Sequence, residues 1–121
     1  MKIISAKDAA ATLTMPFHYD YAQGAGLMHG GALVSLADTA VVMAIKSILA
    51  PNTHFATIKL DSRFLAPVKK GIVTARAAAK REGERTIFGS ATVFDETDKP
   101  VLEFTSTFKI ARNPQIITAQ E

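Results

Sequence analysis

The chain has 121 residues, of which 48% are hydrophobic and 21% are charged, with a net charge of +3 and no cysteine. This length fits one domain over residues 1–121, and the lack of cysteine excludes disulfides, a thiolate nucleophile and a thiolate metal site. The small, dispersed charge argues against a nucleic-acid-binding protein. The N-terminus lacks the apolar core of a signal peptide, and the longest apolar run, 32–45, is shorter than the roughly 20 residues of a membrane span. We therefore expect a cytoplasmic protein that does not bind membranes.

The N-terminal part is predicted to contain a short helix, a strand and a loop. Residues 6–11 favour the helix, and residues 12–21 alternate between apolar and polar in the manner of a strand. Pro16 suits an edge strand, because proline cannot donate to a neighbouring strand. Residues 23–31 are rich in glycine and form the predicted loop.

A long apolar helix is predicted after this loop, over residues 31–49, and Pro51 ends it. Asp38 is its only acidic residue, and the positions three and four residues away offer no cationic partner: Val34, Ser35, Val41 and Val42. A carboxylate in a buried helix is costly unless another group pairs with it or uses it. Asp38 is therefore either a structural hydrogen-bond acceptor or a catalytic carboxylate.

Four strands with a period of two are predicted after the helix, over residues 57–64, 73–80, 85–95 and 101–110. In the first of them, the alternation places Ile58, Leu60 and Phe64 on one face and Thr57 on the other. Short hairpins make antiparallel pairs, and an apolar helix needs an apolar sheet to cover it. We expect an α+β fold in which a curved antiparallel sheet of five strands wraps around one long central helix.

The same pattern predicts self-association. A single five-stranded sheet cannot enclose a helix that is apolar on all sides, so part of the helix should stay open. The strand at 57–64 is suited to edge-to-edge pairing with a second copy. We expect a homodimer or a homotetramer built from two dimers.

The loop and the helix resemble the hotdog-fold acyl-CoA thioesterases, most closely the phenylacetic-acid-pathway type of the 4-hydroxybenzoyl-CoA thioesterase superfamily. The resemblance covers residues 12–111 and is carried by two motifs. The first is His29-Gly30-Gly31 followed by Leu33, Leu36, Ala37, Asp38 and Thr39, and the second is Phe64-Leu65-Ala66-Pro67 with Gly71. It implies hydrolysis of an aryl or medium-chain acyl-CoA, without a cofactor, at active sites between subunits.

The resemblance also implies roles for single residues. Asp38 would be the nucleophile or the general base, and the Gly30 amide at the helix start would bind the thioester carbonyl oxygen. Gln23 would position the substrate or the attacking water, unless it is a surface residue of the loop. Thr57 would bond the water or the acid. In this arrangement Gln23 and Gly30 come from one subunit and Asp38 from the other.

Four further residues are predicted at the substrate-binding surface. His29 either shapes the loop and the helix start, as it does in the resembling family, or acts as a general base. Gly31 permits a tight turn or a close approach to ligand. Lys69 and Lys70 either contact the phosphates of CoA or only solubilise a turn. The sequence has no His-Glu-x-x-His motif, and no metal site is predicted.

Other functions remain open at the level of sequence. A non-catalytic acyl-CoA binding module on the same fold is the main alternative. A hydratase is less similar, because the Asp and His pair of those enzymes is absent. The acyl group is not readable, and acyl carrier protein can replace CoA as the carrier.

Overall fold

The structure of the protein is a computed structural model that describes residues 1–16, 22–23, 27–28, 30–68 and 71–111. Eight strands and one helix lie in these ranges, in the order β1 (Lys2–Lys7), β2 (Ala10–Pro16), β3 (Ala22–Gln23), β4 (Leu27–Met28), α1 (Gly30–Lys46), β5 (Phe55–Phe64), β6 (Ile72–Arg81), β7 (Thr86–Phe94) and β8 (Pro100–Ile110). Six strands form one antiparallel sheet in the order β1-β2-β6-β7-β8-β5, and β3 pairs with β4 in the glycine-rich loop. This is the hotdog fold expected from the sequence, with six strands rather than five.

The helix predicted over residues 6–11 is wrong. The segment forms a β-hairpin whose turn residues, Asp8 and Ala9, have φ angles of 54° and 65°. Positive φ at two successive residues is the geometry of tight hairpin turns, and it cannot occur inside a right-handed helix. Burial of Ala11 and Leu13 against the helix side of the sheet favours the strand over the local preference of alanine for helix.

The predicted long helix is confirmed, but its ends differ. It begins at Gly30 and ends at Lys46, three residues before the predicted end. Just past this end, the Ser47 hydroxyl donates to the Ala44 carbonyl at 2.7 Å and accepts from the Ala9 amide at 2.9 Å. Ser47 thereby satisfies a terminal carbonyl of the helix and ties the helix end to the β1–β2 turn.

The core lies between α1 and the inner face of the sheet. The helix packs mainly on β2, β6 and β7 and extends only partly over β8. The inward residues of the last three strands are those that the period of two predicts, and they are buried: Val73, Ala75, Ala77, Ile87, Ala91, Val93, Leu102, Phe104, Phe108 and Ile110. The helix extends little over β5, and every residue from 56 to 64 is exposed.

A β-bulge in β5 changes which residues share a face. The register against β8 shifts between Thr57 and Lys59, so that Thr57 lies opposite Phe108 and Leu60 lies opposite Ser106. Directly paired residues project to the same face of a sheet. Thr57, Leu60 and Phe64 therefore share the face on which the helix lies. The predicted alternation, with Thr57 on the opposite face, is wrong because simple counting cannot include the extra residue of a bulge.

Three segments of the sequence-based description lie outside the described residues: the end of the first predicted strand at 17–21, parts of the loop, and the tail from 112. No helix within the described ranges is both long enough and apolar enough to cross a membrane.

Candidate active site

Asp38 lies in the middle of α1, on a side of the helix that the sheet does not cover fully. Val34 and Val42 are one turn away on either side, and all three residues are half-buried. Asp38 Oδ1 is buried and has no hydrogen-bond partner in the part of the chain that the structure describes. Burial among these apolar neighbours raises the pKa of the Asp38 carboxyl above its ordinary value of 3.8. A carboxylate held in this way is a candidate base or nucleophile.

The helix N-terminus supplies the second part of the site. Gly30 is the first residue of α1 and is half-buried. The first N–H groups of a helix have no partner within the helix, and the helix dipole adds a partial positive charge there. A methyl group on the Gly30 Cα would lie 2.9 Å from Phe64 Cζ and 3.0 Å from Phe64 Cε1. The phenyl ring of Phe64 thus packs against the glycine that begins the helix.

An apolar cavity opens beside this helix start. It has a volume of about 430 Å³, within the range typical of small-molecule sites. The described residues that line it carry no polar side chain: Gly30, Leu33, Phe64, Leu65, Ala66, Pro67 and Val68. The second motif of the sequence therefore lines the same cavity as the first.

Gly30 and Asp38 are separated along the helix. They are eight residues apart in α1, which corresponds to about 12 Å along the helix axis. A reacting carbon must approach both a nucleophile and an oxyanion donor to about 3 Å. An aspartate side chain is too short to close this gap, so the two groups of one chain cannot act on the same carbonyl.

The other predicted site residues are distributed as follows. Thr57 lies on the helix side of β5, where the bulge places it, and is exposed. Gln23 lies in β3, where its backbone pairs with Leu27. Gly31 is the second residue of α1 and is exposed.

The three remaining predicted substrate-binding residues, His29, Lys69 and Lys70, lie outside the described residues, and their roles stay predictions. Among the residues that are described, no three His, Asp or Glu side chains come together in a way that would hold a metal ion.

Ser106 was not identified from the sequence. It lies on the inner face of β8, is only 4% exposed, and its Oγ has no hydrogen-bond partner among the described residues. It is next to Gly89 in the sheet, and Val41 of the helix packs over that glycine. The sequence could have indicated that Ser106 is buried, because position 106 continues the alternation set by the buried Phe104 and Phe108.

An open hotdog sheet, a half-buried carboxylate in its helix and a glycine helix start that lines an apolar cavity define the class of protein. Comparison with known proteins gives the family. The Thioesterase superfamily profile matches residues 25–102, which is more than half of the chain and includes both sequence motifs. The chain belongs to the thioesterase superfamily.

Three relatives illustrate the match. A Pasteurella multocida protein, PM0788, which is named as a candidate esterase, is 36% identical over 86 residues, covering 71% of this chain and 62% of its own length. The chain thus spans less than two thirds of that relative. A 1,4-dihydroxy-2-naphthoyl-CoA hydrolase of Listeria monocytogenes is 27% identical over 99 residues, 82% of this chain and 80% of the hydrolase. The PaaI protein of the Escherichia coli phenylacetic acid degradation operon superposes with a TM-score of 0.82 at 28% identity, covering 91% of this chain and 78% of PaaI.

Proposed function

We propose that this protein hydrolyses an acyl-CoA to the free acid and CoA. Asp38 serves as nucleophile or general base, and the Gly30 amide serves as oxyanion donor. The observation that carries the proposal is the buried Asp38 Oδ1, which has no hydrogen-bond partner among the described residues and lies in a mostly apolar helix. Membership of the thioesterase superfamily supports the reaction class, and the Listeria hydrolase, which acts on an aryl-CoA by its name, supports CoA as the carrier.

The chemistry follows from the properties of the two groups. The Asp38 carboxylate either attacks the thioester carbon itself, or removes a proton from a water molecule whose oxygen attacks. The carbonyl oxygen becomes an oxyanion that accepts a hydrogen bond from the Gly30 N–H. Collapse of the tetrahedral intermediate breaks the C–S bond, and the thiolate of CoA leaves and is protonated. In the direct route, water then hydrolyses the mixed anhydride on Asp38.

We further propose that the active site forms between two copies of the chain. The separation of about 12 Å between Gly30 and Asp38 in one helix supports this proposal, because it is too long for both groups of one chain to reach the same carbonyl. Within the described ranges β5 pairs only with β8, so its other edge is available to a second copy. Its helix-side face also carries exposed Leu60, as expected of a surface that a partner covers. A tetramer built from two such dimers stays a prediction.

Thr57 and Gln23 complete the proposed site. The bulge puts Thr57 on the same side of the sheet as Asp38, and bulges frequently re-aim a side chain near an active site. Its hydroxyl would bond the water or the carboxylate. Gln23 would position the substrate from the copy that supplies Gly30. The cytoplasmic location and the contact of Lys69 and Lys70 with CoA phosphates stay predictions.

The proposal is tested with a panel of aromatic and aliphatic acyl-CoAs, in which release of free thiol is followed. We expect hydrolysis of at least one ester, and loss of turnover with retained binding in Asp38→Asn. Asp98→Asn is the matched control, because Asp98 lies in the exposed β7–β8 turn at a φ of 65°, which asparagine tolerates well. Unchanged turnover in Asp38→Asn would refute the role of Asp38. Binding of acyl-CoA without any thiol release by the wild type would favour the binding module.

A further inference from the structure

We propose that Phe64 determines which acyl group the protein accepts, by forming the wall of an acyl pocket next to the Gly30 amide. This inference rests on the proposed function. The phenyl ring of Phe64 packs on the Cα of Gly30, yet the residue is 55% exposed. One part of the ring is therefore held by the helix start, and another part faces the cavity of about 430 Å³ that both residues line.

The position of the cavity fixes which part of the substrate can reach it. Gly30 is at once the proposed oxyanion donor and a lining residue. When the thioester oxygen is bound to the Gly30 amide, only the two substituents of the carbonyl carbon can enter a cavity that begins at Gly30. These substituents are the acyl chain and the sulfur with its pantetheine arm.

The polarity of the cavity favours the acyl chain. Pantetheine carries two amide groups, and burying an amide without a hydrogen-bond partner costs about 1–3 kcal/mol. The described residues that line the cavity in one copy offer these amides no polar side chain. The backbone amides of Leu65 and Ala66 already donate to the Val101 carbonyl, at 2.9 and 3.4 Å, and Pro67 has no N–H. An aliphatic or aromatic acyl group needs no such partners and gains from leaving water.

The contact between Phe64 and Gly30 also links the shape of the acyl pocket to the position of the oxyanion donor. A Cβ at position 30 would lie 2.9 Å from Phe64 Cζ, so any side chain there would push the ring away from the helix start. The ring in turn excludes water from that side of the helix start. Changes at Phe64 should therefore alter the length and shape of the acyl group that can be accommodated while its carbonyl reaches Gly30.

The experiment compares Phe64→Ala, Phe64→Trp and wild type with non-hydrolysable thioether analogues of acyl-CoAs, from acetyl to dodecanoyl and including phenylacetyl. Dissociation constants are measured by calorimetry, so the result does not depend on turnover. We expect Phe64→Ala to move the preferred chain length upward and Phe64→Trp to move it downward. Individual analogues should change by about tenfold, the effect typical of one or two methylene groups in a pocket. Phe88→Ala is the control, since Phe88 is also an exposed phenylalanine but lies on the opposite face of the sheet, away from the cavity.

Three outcomes overturn the inference. A uniform change for all analogues would show a merely structural role of Phe64. An unchanged order of chain lengths would show that the acyl group lies elsewhere. For the third outcome, the titrations are repeated with analogues in which N-acetylcysteamine replaces CoA. If the Phe64 variants bind the two kinds of analogue equally well while their order of preferred chain lengths is unchanged, pantetheine rather than the acyl group lies in the cavity. The proposed hydrolysis fails by a different result, the absence of thiol release by the wild type.

Discussion

The approach of the helix to the sheet depends on Gly89, and Gly89→Ala tests how closely the two are packed. Gly89 lies on the inner face of β7, under Val41 of α1. A methyl group at position 89 would overlap Val41 Cγ1 and would lie 3.4 Å from Val41 Cβ and 3.2 Å from Ser106 Oγ. Val41 is β-branched and has one strongly preferred rotamer in a helix, so its side chain cannot swing away without cost.

The expected loss follows from the overlap. Overpacking of a core by one methyl group commonly costs about 1–3 kcal/mol, and we expect Gly89→Ala to lower the free energy of unfolding by that amount. Val41→Ala alone removes two buried methyl groups and should cost about 2 kcal/mol. In the Val41→Ala background the methyl group added at position 89 has room. The loss of unfolding free energy in the double variant should therefore be smaller than the sum of the two single losses, by at least about 1 kcal/mol.

The free energies are measured by urea unfolding followed by circular dichroism, with Ser90→Ala as a control on the exposed face of the same strand. The control should stay within about 0.5 kcal/mol of wild type. Equal losses from Gly89→Ala in the wild-type and Val41→Ala backgrounds would show that contact with Val41 is not the cause. A neutral Gly89→Ala would show that the helix is not packed as closely as described.

Three further predictions concern buried polar groups. Only the ionised Asp38 can act, and burial raises its pKa above the ordinary 3.8. We therefore expect kcat/KM to fall with decreasing pH at a midpoint above 3.8. A midpoint at or below 3.8 would contradict the burial. At pH values between the ordinary and the raised pKa, the native state holds more protons than the unfolded state. The contribution of Asp38 to the free energy of unfolding therefore falls as pH rises through this range, and it remains destabilising above it. Asp38→Asn should therefore need more urea to unfold than wild type at pH 7, and a lower midpoint would show that the carboxylate has a stabilising partner. Ser106 Oγ is buried and has no hydrogen-bond partner within the described part of the chain, so Ser106→Ala should raise the free energy of unfolding by about 1 kcal/mol. A loss of stability would reveal a hydrogen bond.

Most strands could be predicted from the sequence, because a strand with one buried face has an apolar residue at every second position. The inner faces of β6, β7 and β8 are buried, and their apolar residues alternate accordingly. β1 was missed because all six of its residues are exposed, so no alternation marks it. The bulge in β5 was missed because it appears only in the pairing with β8. Local patterns thus predict buried strands, whereas exposed strands and register shifts depend on the partner strand.

The site was predictable to a different degree for each residue. Asp38 is conspicuous as the one acid in a long apolar stretch. Gly30 and Phe64 were both noted within motifs, but their contact joins segments 34 positions apart and is visible only in the fold. Ser106 has no charge that would distinguish it in the sequence. Only its position in the alternation, midway between two buried phenylalanines, indicates that it lies on the inner face of the sheet.

The most direct test of a shared active site is subunit mixing between Asp38→Asn and Gly30→Pro. Proline is tolerated at the first helical position and removes the N–H donor. Its Cβ displaces Phe64 only in the same copy, so the Asp38→Asn copy keeps Gly30 and Phe64 intact. Each variant alone should lose about 10²–10³ or more of its rate. The two variants are unfolded together and refolded as a mixture, and thiol release from the best acyl-CoA is measured.

If Gly30 of one copy acts with Asp38 of the other, half of the randomly formed dimers are mixed, and each mixed dimer has one intact site. The mixture should then recover about a quarter of the wild-type activity. A mixture no more active than the separate variants, although mixed dimers form, would contradict a site shared between two copies.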